Sequence, residues 1–426
     1  MYSVVFGVLF AFSSPATAQQ LLTWKEAIDI AKKNNAELRA GLETLQSSRY
    51  QENVARGGFL PQLSADFDYV RSETDLPTPT ATAQTTTQED TRYSASISGT
   101  QNLFSGLDDF GRIRQAKANT KVALASLHGT KARVSFDLKS AYEHFYYAKE
   151  YQRLTSEIIH RREENLKLVE LRFESGRENK GSVLLSRAYL NQAIYDDLQA
   201  KNAEDIARRQ LQRALGVDLS GPIGIQDQVP VADPPSPPPD FEALSTTTPD
   251  YEQALAQEEE SKAGVLSARS PFFPTLDLRG SVGKEDSGFF PDRDFWSIGL
   301  NFSIPFFNGG RDYYSTQSAL SSWQSLLNSR LDARREAIVS LRQTYATYVE
   351  AVEKLKVDDS FKQAAVVRAE IARNRYNNGL LSFEDWDIIE NDLILRQRAY
   401  LQSRRDRVVA EAAWERSQGK GIFPNG

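Results

Sequence analysis

Two apolar periods alternate along the chain. Four short runs place an apolar side chain at every second position: Leu63, Ala65, Phe67 and Tyr69; Tyr93, Ala95 and Ile97; Leu276, Leu278 and Val282; and Trp296, Ile298, Leu300, Phe302 and Ile304. Their intervening positions are polar, such as Ser64, Asp66 and Asp68, so each run predicts a β-strand of about eight to eleven residues with one apolar face. Elsewhere the step changes to three and four. Ile338, Leu341, Tyr345, Tyr348, Val352 and Leu355 follow a heptad, and Leu138, Tyr142, Phe145, Ala148, Tyr151 and Leu154 do nearly the same. No proline lies between Pro79 and Pro222 or between Pro305 and Pro424, so nothing in the text stops these helices.

The spacing predicts helices from about Leu107 to Glu174 and from about Gly310 to Asn377, each about 100 Å long at about 1.5 Å per residue. Shorter helical stretches, Thr23 to Arg56 and Ser182 to Leu215, together match the length of one long helix. The strand-to-helix transitions carry their own signature. "NLFSGLDDFG" (Asn102 to Gly111) and "PFFNGGRDYY" (Pro305 to Tyr314) predict joints in which Phe104 and Gly106, and Phe307, Gly309 and Gly310, turn strand into helix, because glycine accepts dihedrals that other residues resist.

The chain repeats itself. "ARGGFLPQLSADFDY" from Ala55 matches "ARSPFFPTLDLRGSV" from Ala268, and "LRFESG" from Leu171 matches "NRYNNG" from Asn374. The change in offset between such pairs places a length difference in the Thr-rich stretch between Tyr69 and Tyr93, which predicts a loop. Seven of the seventeen prolines fall between Pro222 and Pro239, which predicts an extended connector. The expected organisation is a signal peptide at 1–18, a first repeat at 19–220, the connector at 221–249, a second repeat at 250–420 and a tail at 421–426.

The signal peptide rests on the apolar run Val4 to Phe12 followed by Ala16-Thr17-Ala18; its first residues lack the usual Lys or Arg. That run falls short of the roughly 20 residues a spanning helix needs, and no later segment is apolar and long enough, so if the chain enters a membrane it must do so as strands. There is no Cys, which excludes disulfides and acylation on a Cys after cleavage. A net charge of −6 without a basic block argues against nucleic acid. His128, His144 and His160 recur every sixteen residues, which turns each about 160° from the last around a helix, and no nucleophile triad or phosphate loop is present, so neither an enzyme nor a cofactor is expected. Aromatic residues flank the strands, as at a bilayer interface. Four strands cannot close a barrel, and an open edge in lipid leaves backbone groups unpaired, so several chains must contribute to one barrel. The alternative is a water-soluble periplasmic coiled-coil scaffold or adaptor whose hairpins pack on something else.

The tandem "FLPQL" and "FFPTL" motifs, the "LFSG" and "PFFNGGR" joints, the long helices and the Tyr/Phe-x-x-Gly turns together resemble the TolC-like outer-membrane efflux proteins, from about Leu21 to Gly419. The resemblance implies an α+β membrane channel: a tandem-repeat protomer giving four β-strands to a twelve-stranded trimeric outer-membrane barrel, with long coiled-coil helices forming a periplasmic tunnel. It implies an exit duct for a tripartite efflux or type I secretion system in a Gram-negative bacterium. The implied partners are two further copies of the chain, a periplasmic adaptor, an inner-membrane transporter and outer-membrane lipid.

It also implies a periplasmic gate around the tip turns Gly176 and Gly379. The family's carboxylates six and nine positions after the second glycine correspond here to Asp385 and Ile388, with Glu384 and Asp387 as nearby acids; Tyr376 fits the family's tyrosine. The basic residue two after that glycine is replaced by Leu381, and the acid six after Gly176 by Ser182, leaving Arg177 and Lys180 to pair with Glu384 or Asp385 of a neighbour. The residue-level alternative is that these acids only favour a helix start.

Overall fold

The computed structural model describes residues 20–77, 85–218 and 223–423. The expected signal peptide lies outside them. The chain forms two compact units, one of Met1–Ala40, His128–Ser245 and Ile338–Gly426, the other of Gly41–Leu127 and Thr246–Ala337. Both units draw on both halves of the chain, because the two 67-residue helices α3 (Asp108–Glu174) and α7 (Arg311–Asn377) supply residues to each.

The second unit is built on a four-stranded antiparallel sheet of β2 (Gln62–Pro77), β3 (Thr85–Ser105), β5 (Thr275–Asp286) and β6 (Arg293–Ser303), in that order, so β2 and β6 are its edges. Register sorts the faces by chemistry. Ala65, Ile97, Val282 and Trp296 are successive cross-strand partners on one face, as are Ser64, Ser98, Ser281 and Ser297 on the other. The serine hydroxyls bond in pairs, Ser64 to Ser98 and Ser281 to Ser297, both at 2.7 Å. The apolar face is bare: Phe67 is 82% exposed and Trp296 76%.

The Thr-rich insertion departs from the expected loop. The ladder continues from Tyr69↔Tyr93 out to Pro77↔Thr85. β-Branched threonines such as Thr74 and Thr91 suit a pleated strand, Arg71 and Glu89 form a cross-strand ion pair at 2.8 Å, and the rest of the expected loop, 78–84, lies outside the described residues.

The first unit is helical, apart from the parallel pair β1 (Gln20–Leu22) and β4 (Ile223–Ile225). The expected first helix is two, α1 (Trp24–Asn34) and α2 (Ala36–Arg56). Asn35 makes the break: its side-chain oxygen accepts from the backbone N–H groups of Glu37 and Leu38, and its amide donates to the Ala214 carbonyl. Thr23 and Glu26 cap α1 reciprocally. The returning helices are α4 (Lys180–Leu215) and α8 (Phe383–Ser417); α5 (Phe241–Ser245) and α6 (Pro249–Ala268) precede the second pair of strands.

The heptad positions Leu138, Tyr142 and Phe145 are fully buried with Ala27, Ala31, Leu211 and Leu215 in one cluster. The proline-rich segment packs on this core: Ile223, Ile225 and Val229 are buried in the same cluster, and the Tyr142 hydroxyl donates to Asp227 at 2.7 Å. Farther along, Tyr348 donates to the Ala232 carbonyl and Tyr345 to that of Pro235. Proline supplies no donors, so its carbonyls are left as acceptors for side chains of the long helices.

Candidate functional site

Two sets of residues were singled out by sequence: the turns joining α3 to α4 and α7 to α8 in the first unit, and the strand-to-helix joints in the second.

Both helix turns adopt the same closure. Gly176 has φ 72° and Gly379 φ 74°. At the first, the Gly176 N–H donates to Phe173 and the Arg177 N–H to Arg172; at the second, Gly379 donates to Tyr376 and Leu380 to Arg375. This is the two-bond cap that ends a helix on a left-handed residue. Asn179 then caps α4 by accepting from the Ser182 N–H, and Ser382 caps α8 by accepting from the Asp385 N–H.

The two turns meet at Tyr376. Its ring is fully buried, lies parallel to the Trp386 indole at 4.3 Å, and carries the Arg172 guanidinium on a ring face at 4.5 Å. Arg172 also donates to the Tyr376 carbonyl at 2.6 Å, and the Tyr376 hydroxyl donates to Glu178 at 3.0 Å. The other Glu178 oxygen accepts from the Ser182 hydroxyl and the Asn179 N–H. Burial, then the hydrogen bond to Glu178 and its charge, hold the Tyr376 phenol well above its ordinary pKa, so it remains a donor at neutral pH. Such a charge-assisted bond contributes about 1.5–3 kcal/mol.

Glu178 is the residue sequence reasoning missed. The acid was sought six positions after Gly176, where Ser182 stands, but the geometry puts it two positions after. The available signal was that Glu178 is the only acid between Gly176 and Tyr195.

The remaining tip residues divide into two groups. Asp387 is half-buried: it faces the buried Arg162 guanidinium at 3.6 Å and accepts from the Asn391 amide at 2.9 Å. Arg162 also donates to the Asn391 carbonyl oxygen at 2.5 Å and lies over the Tyr189 ring. Asp387 is thus tied within its own protomer. Glu384 and Asp385 are exposed; the Asp385 carboxylate accepts from the Ser382 hydroxyl at 2.7 Å. Arg177 and Lys180 are exposed too, and among the described residues neither makes an ion pair.

In the second unit the joints share one backbone. Gly106 and Leu107 have φ 65° and 77°, and Gly309 and Gly310 have φ 63° and 78°. Each is braced by an aspartate one turn on. Buried Asp109 accepts from the Asn102 amide and the Ser105 hydroxyl, both at 2.6 Å, and Asp312 accepts from the Asn308 amide at 2.8 Å. Phe306 and Phe307 are fully and largely exposed, whereas Phe104 is half-buried.

A bare apolar sheet face with two free edges, bounded by exposed aromatics and continuing into paired long helices, defines an outer-membrane channel protomer. The outer membrane efflux protein family matches residues 27–217 and 243–420, and the chain belongs to that family. Among curated relatives, the chain is 24% identical over 376 residues to the alkaline protease secretion protein AprF of Pseudomonas aeruginosa, covering 83% of this chain and 77% of that protein. It is 24% identical over 419 residues to the solvent efflux pump outer membrane protein SrpC of Pseudomonas putida, covering 92% and 84%. Among solved structures, the Campylobacter jejuni CmeC outer membrane channel superposes with a TM-score of 0.83 at 16% identity, covering 100% of this chain and 96% of that one. The expected α+β channel-protomer fold is the fold observed.

Proposed function

We propose that three copies of this chain form an outer-membrane exit duct. The sheet carries the argument. Among the described residues edges β2 and β6 have no partner strand, and in lipid each missing backbone bond costs several kcal/mol, so β6 of one copy pairs with β2 of the next until twelve strands close. The apolar face, with Trp296, Ile298, Leu300 and Phe302, then meets lipid, and the serine-rich face lines the lumen. The coiled-coil helices extend the duct through the periplasm to a gate at the Gly176 and Gly379 turns, where an adaptor couples it to an inner-membrane transporter.

The relatives' names span protease secretion and solvent efflux. A water-filled duct is compatible with either, the transporter selecting the cargo. At the gate, the Tyr376 to Glu178 bond would close each protomer internally, while the exposed Arg177 and Lys180 would pair with Glu384 or Asp385 of the neighbouring copy.

Planar-bilayer recording of the purified chain tests this reading. Stable, uniform conductance steps are expected; recovery of the mature protein in the soluble fraction after osmotic shock, with no conductance, supports the periplasmic scaffold instead.

A further inference from the structure

A groove of about 530 Å³ lies in the second unit, enclosed by the first turns of α3, the last turns of α6 and the start of α7. Its rim carries five bases, Arg114, Lys117, Lys121, Lys262 and Arg269, and among the described residues Glu259 is the only acid lining it. Lys121 is paired with Glu259 at 2.6 Å, and Lys262 lies over the Trp323 ring at 5.7 Å. Arg114, Lys117 and Arg269 are exposed, and among the described residues they make no ion pair. Behind them the floor is apolar, formed by Leu266, Leu320 and the half-buried Trp323.

The position of the groove along the chain identifies its occupant. α3 starts at Asp108, directly after the joint that ends β3, so Arg114 and Lys117 stand about 9 and 14 Å into the helix. Arg269 closes α6 immediately before the single turn Ser270–Phe272 that leads into β5. The head-group layer extends roughly 5–7 Å beyond the hydrocarbon, and long basic side chains reach back toward it. Two guanidiniums and an ammonium at this depth match a phosphodiester, which guanidinium binds bidentately. Basic clusters beside a membrane span recognise anionic lipid in this way.

We propose that this groove binds the head group of an anionic phospholipid, of the phosphatidylglycerol class, from the periplasmic leaflet of the outer membrane. The proposal rests on the outer-membrane placement given by the family. Arg114 and Arg269 hold the phosphate, Lys117 adds charge from below, and the Trp323 floor excludes water behind it.

The test uses the full-length protein, stripped of lipid in a zwitterionic detergent. It is titrated calorimetrically with short-chain phosphatidylglycerol, short-chain phosphatidylcholine and inorganic phosphate. Phosphatidylglycerol should bind about tenfold or more tightly than phosphatidylcholine. That preference should be lost in Arg114→Gln/Lys117→Gln/Arg269→Gln, retained in Arg114→Lys/Arg269→Lys, and should fall in the wild type as salt rises from about 0.1 to about 0.5 M. Equal affinities for the two lipids overturn the proposal, as does a preference that survives the triple substitution or the added salt. Phosphate binding as tightly as phosphatidylglycerol would make this a free-anion site and would overturn the lipid assignment too. Conductance of the same preparation separates the readings: channels without lipid preference remove the lipid site and leave the duct.

Discussion

The two strand-to-helix joints have nearly identical backbones and quite different surroundings. At the first, a Cβ on Gly106 would lie 2.5 Å from the Ser270 carbonyl oxygen and 3.1 Å from the Phe273 Cβ; at the second, a Cβ on Gly309 would meet nothing within 4 Å. At the next position the order of demands reverses, since Leu107 holds a φ of 77° where the other joint has Gly310. The two joints keep the same bend, while their neighbours decide which glycine is indispensable. The turns at the other end of the long helices diverge in the same way. Phe173 is exposed where its counterpart Tyr376 is fully buried, and Glu178 occupies the position where the second half has Leu381.

The largest expected effect comes from breaking the first joint alone. Gly106→Ala combines a left-handed backbone with a clash against main chain and should cost about 3 kcal/mol or more, with loss of assembled protein from the outer membrane. Gly309→Ala should cost about 1 kcal/mol, with assembly retained on unheated gels. Equal effects would mean that the backbone alone sets the demand.

A second contrast lies within the core. Glu143 is buried at a position where the second half has exposed Ala346. Burial, only partly offset by Arg404 and Arg405, pushes its carboxyl up to about 7. The native state therefore holds a proton that the unfolded chain releases between the ordinary carboxylate range and pH 7. Stability from this group falls as pH rises through that window and is level above it. Glu143→Gln should remove the slope and, at pH 8, stabilise by about 2–3 kcal/mol in detergent melts. A pH slope unchanged by the substitution would show that the carboxyl is ionised throughout.

At the tip, Tyr376→Phe removes the donor to Glu178 and should cost about 1.5–3 kcal/mol while raising the open probability of single channels. Phe173→Tyr, on the exposed counterpart, should change neither. The smallest effect on stability belongs to Asp385→Ala, which should leave melting within about 0.5 kcal/mol but weaken block by divalent cations. Asp387→Ala should instead destabilise, because it removes the ion-pair partner of the buried Arg162 guanidinium and leaves only the buried Glu390 as a nearby anion. Identical behaviour of the two variants would contradict the division between a braced and a free acid.

Long elements were legible in the sequence for a physical reason: period and punctuation accumulate over many residues. The observed α3 and α7 begin one residue after the expected starts and end at the expected residues, Glu174 and Asn377. The break at Asn35 was missed because it depends on one amide reaching the Ala214 carbonyl, 179 residues away. Threonine composition suggested a loop between Tyr69 and Tyr93, yet cross-strand pairing extends both strands through most of it. At the tip, the glycine turns were readable from local motifs. Glu178 was not, since its role exists only once the turn after α3 stands against Tyr376 from the other repeat.

The account rests on edges β2 and β6 finding each other in neighbouring copies. Native mass spectrometry of the protein extracted from outer membranes addresses this directly. A single species with the mass of three mature chains is predicted, and a monomer that nevertheless conducts would contradict it.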